Sequence, residues 1–311
     1  MTIDLNISLF NFRNGGLRPN NGYDFRPLTE TYVPAPAPDL IALCEAKFWF
    51  ARGRRLFLKA VQTLSAATGR TYVGELFSGA LATAVVYDPN VFDLEAGEEV
   101  DFADKQNLAR LRHRNDDSPL QILVEHWPFW DGDARVARAK LLATYGASDI
   151  PTIIAGDLNS TSSGSHLPTA DWSRLPATVR DHKGRQDPDG SWHADTRAVD
   201  RLIGRWDTTT GNRIDGAGFH HVAELDPCSP RPLPPTVNPG GSGLHIDYIL
   251  INDACQHAWP VMPGSYNIHI PDPARPMPSD HRRVDITLRR TNAVISEAVS
   301  RSGDAAGTTP T

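Results

Sequence analysis

The chain has 311 residues, a formal net charge of −6 and 40% hydrophobic residues, including seven Trp and eleven Phe. This length fits one large domain or two ordinary ones, and the apolar content is sufficient for a large core. The negative charge argues against a generally basic surface for binding nucleic acid, although it does not exclude a local basic groove. No apolar run approaches the ~20 residues that span a bilayer.

Two further features concern the setting in which the protein works. The N-terminal residues 1–6 lack the basic start and the apolar core of a secretion signal. Cys44, Cys228 and Cys255 are widely spaced and form no Cys-x-x-Cys pair, which argues against a disulfide framework and a thiolate zinc site. We therefore expect a soluble, cytoplasmic monomer with no membrane contact and no protein partner.

The residue pattern of the first half of the chain predicts mostly strands. Apolar runs and alternation predict strands over residues 3–12, 39–45, 71–76, 80–87 and 120–126, and apolar stripes at helical spacing predict helices over 54–68 and 133–145. Residues 13–38 are polar and rich in proline. Because Pro34, Pro36 and Pro38 exclude a helix, we expect none before Asp39.

The second half predicts a long irregular segment between short strands. Helices are expected over 171–182 and 196–206, and strands over 219–225, 245–251 and 284–288. The tail from residue 291 is small, polar and without period, which is typical of disorder. We expect one domain over residues 1–290, with 160–243 as a variable insertion on the substrate side and 291–311 as a disordered tail.

The most informative stretch is the end of a predicted strand at residues 151–160. Ile153 and Ile154 are typical of a buried strand, and Gly156 removes a side chain where the backbone turns or another group comes close. Asp157 and Asn159 are two apart, so in extended chain both side chains leave the same face. A carboxylate and an amide held together suit a water and a phosphate oxygen in one pocket. An Asp/Asn-rich turn is the alternative reading.

Five segments, including this one, share a layout in which an apolar run is followed by a polar residue that is able to bind metal, water or phosphate. These polar residues are Asn11, Glu45, His126, Asp157 with Asn159, and Asp280 with His281, while Asp247 lies inside a further strand. Strands outnumber helices, and most strands end on such a residue. This pattern favours a packed pair of sheets with an active site at one edge.

Taken together, these segments resemble the endonuclease/exonuclease/phosphatase superfamily, whose members have the DNase I-like fold. The matching segments, in chain order, are Asn11, Cys44-Glu45, Glu125-His126-Trp127, the Arg-bearing helix 135–142, Gly156-Asp157-Leu158-Asn159, Ile246-Asp247-Tyr248-Ile249-Leu250 and Ser279-Asp280-His281. The resemblance covers residues 3 to about 288. It implies an α/β fold, a four-layered sandwich of two packed mixed β-sheets flanked by helices.

The resemblance also implies a divalent cation. Glu45 would be its principal ligand, with Asn11 and Asp280 nearby. Oxygen ligands without thiolate suit Mg²⁺ or Mn²⁺, which bind substrate phosphate directly.

The remaining motif residues have implied catalytic roles. Asp157 would orient or deprotonate the attacking water, and Asn159 would hold the phosphate. His281 would stabilise charge on the scissile phosphate, with its imidazole oriented by Asp247. His126 would contact a phosphate oxygen from the opposite side. These parts together suit phosphodiester hydrolysis by metal- and histidine-assisted water attack.

The sequence departs from the family pattern at two motif positions. Cys44 stands where Gln is usual. Because it is only a neighbour of Glu45, we expect this difference to change the packing alone. Glu125 stands where Thr or Asn is common; it either raises the pKa of His126, binds a second ion, or faces outward from the strand. Glu75 resembles the acid that pairs with this histidine in DNase I-like members, and a plain surface glutamate is the alternative.

The sequence does not identify the substrate, and a nuclease that acts on DNA or RNA is the leading hypothesis. Trp127 and Trp130 follow His126 and suit stacking on bases, with core filling as the alternative. Arg110 and Arg112 alternate in a polar stretch and suit a ridge for the phosphate backbone, with a solvated loop as the alternative. A phosphatase or phosphodiesterase for a small phosphorylated metabolite or phospholipid is the second hypothesis, and a catalytically silent binding module is the third.

Overall fold

The computed structural model describes residues 2–33, 36–99, 107–238, 243–272, 274 and 277–291. The tail predicted from residue 291 lies, apart from Thr291 itself, outside these ranges. Within them, no helix is both long enough and apolar enough to cross a membrane.

The described residues form seven α-helices and sixteen β-strands. The helices are α1 (Arg26–Tyr32), α2 (Ala51–Thr68), α3 (Gly132–Leu142), α4 (Ala177–Lys183), α5 (Arg197–Ile203), α6 (Val222–Leu225) and α7 (Asp253–Ala258). The strands are β1 (Thr2–Asn11), β2 (Leu40–Lys47), β3 (Val73–Leu76), β4 (Leu81–Tyr87), β5 (Phe92–Glu99), β6 (Asn107–His113), β7 (Ser118–His126), β8 (Thr152–Asp157), β9 (Gly184–Gln186), β10 (Trp192–Ala194), β11 (Arg205–Asp207), β12 (Asn212–Ile214), β13 (Phe219–His221), β14 (Asp247–Asn252), β15 (Asn267–Ile268) and β16 (Val284–Thr291).

Two six-stranded sheets form the centre of the molecule. The first has the order β15-β16-β1-β2-β4-β3 and the second the order β13-β14-β8-β7-β6-β5. Each sheet is mixed, because β1 runs parallel to β2 in the first and β7 parallel to β8 in the second, whereas the other neighbours are antiparallel.

The core confirms the predicted four layers. Alternate residues of the central strands, such as Leu9 on β1 and Ile153 on β8, meet in one apolar cluster between the sheets. Residues on the opposite face of the first sheet pack against α1 and α2, and those on the opposite face of the second pack against α3 and α5. The helix layers thus cover both outer faces, which explains why the central strands read as continuous apolar runs.

Strand register brings the polar strand ends to one edge. Asn11 pairs with Cys44 at the end of β1, and Asp157 lies opposite both His126 on β7 and Asp247 on β14. Parallel neighbours end together, so the polar residues that follow each apolar run lie side by side. The edge of the sandwich is therefore where the predicted site residues collect.

Three expectations for the secondary structure are wrong. Residues 13–38 contain helix α1, which begins before the three prolines and accommodates Pro27 in its first turn, where no backbone N–H is needed. The helix expected over 171–182 is limited to α4, and the strand expected over 219–225 ends at His221, where α6 begins. Short elements such as these are fixed by tertiary packing more than by local pattern.

Two buried histidines near β13 and β14 influence the stability of the fold. His221 and His245 are fully buried, and neither ring nitrogen of His221 has a hydrogen-bond partner within the described part of the chain. Burial lowers the pKa of His245 to about 4 and that of His221 well below its ordinary value. Both rings are therefore neutral in the folded protein.

We expect the free energy of unfolding to fall as the pH drops from about 6.5 towards 4. In this window the unfolded chain binds protons on these histidines and the folded chain does not, which costs up to about 1.4 kcal/mol per pH unit for each ring. His221→Phe removes one such ring, so urea titrations across the window should give a shallower pH dependence. His257→Phe, at an exposed position, is the control, and equal slopes in both variants would contradict the assignment.

Candidate active site

An amide group joins the two sheets at the edge where the strands end. Nδ2 of Asn11 donates to Oδ2 of Asp157 at 3.0 Å and to Oε1 of Glu45 at 3.3 Å. The other oxygen of Glu45 accepts from the backbone N–H of Asn14 at 2.7 Å. The structure therefore brings together three of the residues predicted from strand ends on different sheets.

Glu45 is directed to this edge by a bulge in β2. Leu43 pairs with Ala84 but Ala46 pairs with Ala82, so β2 has one residue more than β4 between these pairs. Glu45 lies at this point with φ of 61°, a left-handed conformation that is unfavourable for a glutamate. Such a strained conformation persists only where the surrounding structure maintains it, and residues of this kind cluster at functional sites.

Asp157 lies at the centre of the cluster and is buried. The neighbouring Gly156 is required because a Cβ there would lie 1.9 Å from the backbone oxygen of Glu125, which confirms the expected close approach. Nε2 of His126 and Nε2 of His281 each lie 3.6 Å from Oδ2 of Asp157. Burial alone would raise the pKa of Asp157, but the charges of His281, His126 and Lys183 lower it below its ordinary value.

His281 and Asp247 form a buried pair. Nδ1 of His281 lies 2.9 and 3.0 Å from the two carboxylate oxygens of Asp247. Burial opposes protonation of the imidazole, but Asp247 and Asp157 together raise the pKa of His281 to about 10. The ring is therefore an imidazolium at neutral pH, with Nδ1–H donating to Asp247 and Nε2–H directed towards Asp157.

Asn159 is fixed at both ends of its amide. Its Nδ2 donates to the backbone oxygen of Trp127 at 3.0 Å, and its Oδ1 accepts from Nζ of Lys183. Its backbone N–H donates to Oδ1 of Asp157 at 2.9 Å, so the two motif residues are locked together. Asn159 has φ of 50°, which asparagine tolerates better than most residues.

Asp280 lies at the mouth of the edge. Its carboxylate is partly exposed and contacts Nε of Arg13 at 3.5 Å. The preceding Ser279 donates from Oγ to the backbone oxygen of Asn11 at 2.7 Å, which holds the segment 279–281 against the end of β1. This hydrogen bond therefore keeps Asp280 close to the end of β1, where the side chains of Asn11 and Glu45 meet.

A cleft of about 640 Å³ opens next to Asp280. Three of its lining residues are cationic, namely Arg13, Arg18 and Lys47, and Asp280 is the acidic one. Nζ of Lys47 donates to Oδ1 of Asn14 at 2.8 Å. The backbone N–H of the same Asn14 donates to Glu45. Cationic side chains thus outnumber acidic ones on the lining of the cleft, and the lining residue Asn14 links the cleft to Glu45.

Several predicted substrate contacts do not reach this edge. Trp127 is 2% exposed and donates from Nε1 to Glu125, so it is a core residue and is unable to stack on a base. Arg110 and Arg112 lie on β6 opposite Gln121 and Pro119, towards the other end of β7 from His126. At about 3.3 Å per residue, Arg112 is on the order of 20 Å from the site. Trp130 remains, 60% exposed.

Glu125 does not face outward from its strand. Its buried carboxylate accepts from Nε and Nη2 of Arg138 at 2.8 and 2.7 Å and from Trp127. It therefore fastens β7 to α3. Cys44 is also buried and donates from Sγ to the backbone oxygen of Glu125 at 3.3 Å, which makes it a packing residue, and Glu75 pairs with Arg54 at 2.6 Å.

Sequence reasoning missed Lys183 as a member of the site. Its Nζ also donates to the backbone oxygen of Asn159 at 3.2 Å, and burial lowers its pKa to about 8 against the opposing attraction of Asp157. The residue lies 24 positions after Asn159 in a segment with no motif. The local group of basic residues that contains it, with Arg180 and Arg185 nearby in the sequence, was the available signal.

The residues present fit a cation with oxygen ligands at Glu45. Oδ1 of Asn11 is buried and has no hydrogen-bond partner among the described residues, whereas Nδ2 of the same amide donates to the carboxylates of Glu45 and Asp157. A cation there would satisfy this oxygen and relieve the repulsion between Glu45 and Asp157. Glu45 is partly exposed, so the position is accessible.

A second group of potential ligands fits a cation less well. Single ligand atoms of Asp157, Asp247 and His281 lie within 4.8 Å of one another, and all three residues are buried. Because the His281 ring already pairs with Asp247 and is protonated, neither of its nitrogens has a free lone pair. These three groups form a charged hydrogen-bond system.

Solved structures match this architecture over nearly its whole length. An endonuclease/exonuclease/phosphatase family protein from Bacteroides thetaiotaomicron aligns with a TM-score of 0.55 and 13% identity, covering 94% of this chain and 97% of that chain. The chain has the endonuclease/exonuclease/phosphatase fold. No protein-family model and no curated protein sequence matches it.

Two further structures with this DNase I-like fold have more specific descriptions. One is a mannosyl-6-phosphatase from Bacteroides thetaiotaomicron, with a TM-score of 0.51, 14% identity and coverage of 91% of this chain and 99% of that one. The other is ANGEL2, a 2′,3′-cyclic phosphatase, in complex with adenosine-2′,3′-vanadate, with a TM-score of 0.53, 14% identity and coverage of 93% and 96%. At this identity the likeness concerns the fold.

The Glu125–Arg138 pair should contribute strongly to the stability of the DNase I-like fold. We expect Arg138→Met to lower the free energy of unfolding by about 3 kcal/mol, because it leaves a buried carboxylate without its cation. Denaturant unfolding measures this loss. Lys140→Met, an exposed change on the same helix, should cost less than about 0.5 kcal/mol, and equal costs for the two variants would contradict the buried role.

Proposed function

We propose that the protein is a divalent-metal-dependent phosphoester hydrolase, and that its substrate is a phosphodiester of DNA or RNA. One observation supports the activity above all others. Glu45, Asn11, Asp157 and His281, which come from both sheets and from remote parts of the chain, meet at one accessible edge. A catalytically silent module has no need for a strained glutamate, a protonated buried histidine and a buried aspartate in contact.

The side chains divide the chemistry among themselves. Asp157, ionised by its cationic neighbours, accepts a hydrogen bond from the attacking water and aligns it with phosphorus. His281 directs its Nε2–H into the same space and stabilises the charge that develops on the phosphoryl oxygens, while Asp247 keeps it protonated. Asn159 donates to a phosphate oxygen, and His126 approaches from the other side of Asp157.

Glu45 would hold the metal, with Asn11 as a further ligand and Asp280 at the open side. Mg²⁺ or Mn²⁺ suits this oxygen donor set, and it would supply positive charge for the phosphate oxygens. The backbone N–H of Asn14 orients the carboxylate of Glu45 for this purpose.

The surroundings of the site favour a polyanionic substrate with aromatic groups. The cleft beside Asp280 presents Arg13, Arg18 and Lys47 to anionic groups that flank the scissile phosphate. Trp130 is exposed next to Phe129, with ring centroids 4.9 Å apart at an edge-to-face angle, and provides a surface for a base. A phosphorylated sugar or other small metabolite is the second candidate, favoured by the mannosyl-6-phosphatase of the same fold.

A substrate panel decides between these classes. The purified protein is incubated with plasmid DNA, single-stranded DNA, RNA, a nucleoside 2′,3′-cyclic phosphate and sugar phosphates, each with Mg²⁺, Mn²⁺ or EDTA. We expect cleavage of polynucleotide that requires the cation. Hydrolysis of sugar phosphates alone would replace the nuclease by the second candidate, and inactivity towards every substrate would remove the hydrolase proposal.

Glu45→Gln should remove most of the cation-dependent activity. The substitution keeps the size of the side chain but removes the anionic ligand, so we expect a rate loss of at least about 10³-fold and weaker binding of Mn²⁺ by calorimetry. Glu75→Gln is the matched control, since Glu75 pairs with Arg54 away from the cluster. Unchanged Mn²⁺ affinity in the Glu45 variant would exclude this residue as the ligand.

His281→Ala should lower kcat by at least about 10²-fold, because it removes the imidazolium that stabilises the phosphoryl oxygens. His269→Ala is the matched control, since His269 also pairs with an aspartate, Asp285, at 2.6 Å, but its side chain is partly exposed and has no contact with the site residues that the structure describes. If the two variants have equal kcat in steady-state assays, His281 has no part in the reaction.

A further inference from the structure

We propose that Lys183 is a positioning residue of the active site and that it acts through Asn159. The inference rests on the proposed function, because the contribution of Asn159 is to hold a substrate phosphate. It assigns a role to the segment 160–243, which none of the strand-end motifs includes.

The contact between Lys183 and Asn159 fixes the orientation of the Asn159 amide. An ammonium group has only donors, so its hydrogen bonds to Oδ1 and to the backbone oxygen of Asn159 determine which end of the amide faces Lys183. The amide nitrogen must then lie on the other side, where one N–H is taken by the backbone oxygen of Trp127. The second N–H of Nδ2 is left for an oxygen of the substrate. Lys183 thus sets the orientation that makes Asn159 a donor to phosphate.

The backbone of Lys183 is firmly held. Its carbonyl accepts from the backbone N–H of Asp195 at 2.9 Å, and the carbonyl of the preceding His182 accepts from Nη2 of Arg135 at 2.8 Å. Arg135 is fully buried and also donates to Pro128 at 3.0 Å, in the loop that follows β7. The same guanidinium therefore ties the lysine segment to the loop at the edge of the site.

The electrostatic surroundings of Lys183 also favour a positioning role. Placing an amine partly below the surface is costly unless it is paired, and here the nearby anion is Asp157, which is itself central to the proposed reaction. A simple structural ion pair would place the ammonium on the carboxylate. In this protein the ammonium contacts the amide of Asn159 instead, which favours a role in holding that amide.

The kinetic test compares Lys183→Met with Lys183→Arg. We expect the Met variant to lower kcat by about 10- to 100-fold with little change in KM, because misplacing a group that holds the reacting phosphate affects the transition state more than binding. The Arg variant, which keeps a donor, should recover part of kcat. Lys59→Met, an exposed change on α2, is the matched control and should match the wild type.

A double-mutant cycle tests whether Lys183 acts through Asn159. If it does, the double variant Asn159→Ala/Lys183→Met should be no slower than Asn159→Ala alone. Multiplicative losses would overturn the inference, because Lys183 would then act on the substrate independently. Equal activity of Lys183→Met and wild type would overturn it as well.

A readout without turnover separates this inference from the proposed function. In ¹⁵N-labelled protein, the side-chain amide signals of Asn159 are assigned by their absence from Asn159→Ala. We expect Lys183→Met to shift them and Lys59→Met to leave them in place. Unchanged signals in the Lys183 variant would overturn the inference, even if the enzyme is active. If the wild type hydrolyses nothing, the proposed function fails, and these signals still decide whether Lys183 orients Asn159.

Discussion

An amide group held between two carboxylates joins the two sheets at the edge that carries the candidate site. Asn11 donates to Asp157 at 3.0 Å and to Glu45 at 3.3 Å, and its own Oδ1 stays without a partner in the described structure. Two carboxylates this close to one donor repel each other in a medium of low dielectric, so the arrangement requires positive charge nearby. The fold supplies part of that charge through His281, and the proposed cation at Glu45 supplies the rest.

The charged groups at this edge lie at different depths between the interior and the surface. Asp247 is deepest and keeps His281 protonated, Asp157 lies between His281 and His126, and Glu45 is accessible to solvent. The groups are fixed by strand register and by the bulge in β2, so little reorganisation is needed when charge develops on a bound phosphate. Local strain at Glu45 and burial of ionised groups are the energetic cost of this preorganisation.

The sequence predicted the sandwich and the residues at strand ends because both depend on local patterns. A buried strand that ends on Asn11 or Asp157 is visible as an apolar run, and parallel neighbours place such ends together. The failures concern tertiary packing. Whether Trp127 points to solvent depends on α3, and the approach of Lys183 to Asn159 spans 24 residues through a segment with no period. No pattern of adjacent residues contains that information.

The most direct test of this account is the position of a bound cation. Crystals of the protein grown with Mn²⁺ and inorganic phosphate, and measured at the manganese absorption edge, reveal the metal by its anomalous scattering. The account predicts a peak at the carboxylate of Glu45, within coordination distance of Asn11, with phosphate next to Asp157 and Asn159. A peak confined to another part of the molecule, or phosphate bound away from Asp157, would contradict it.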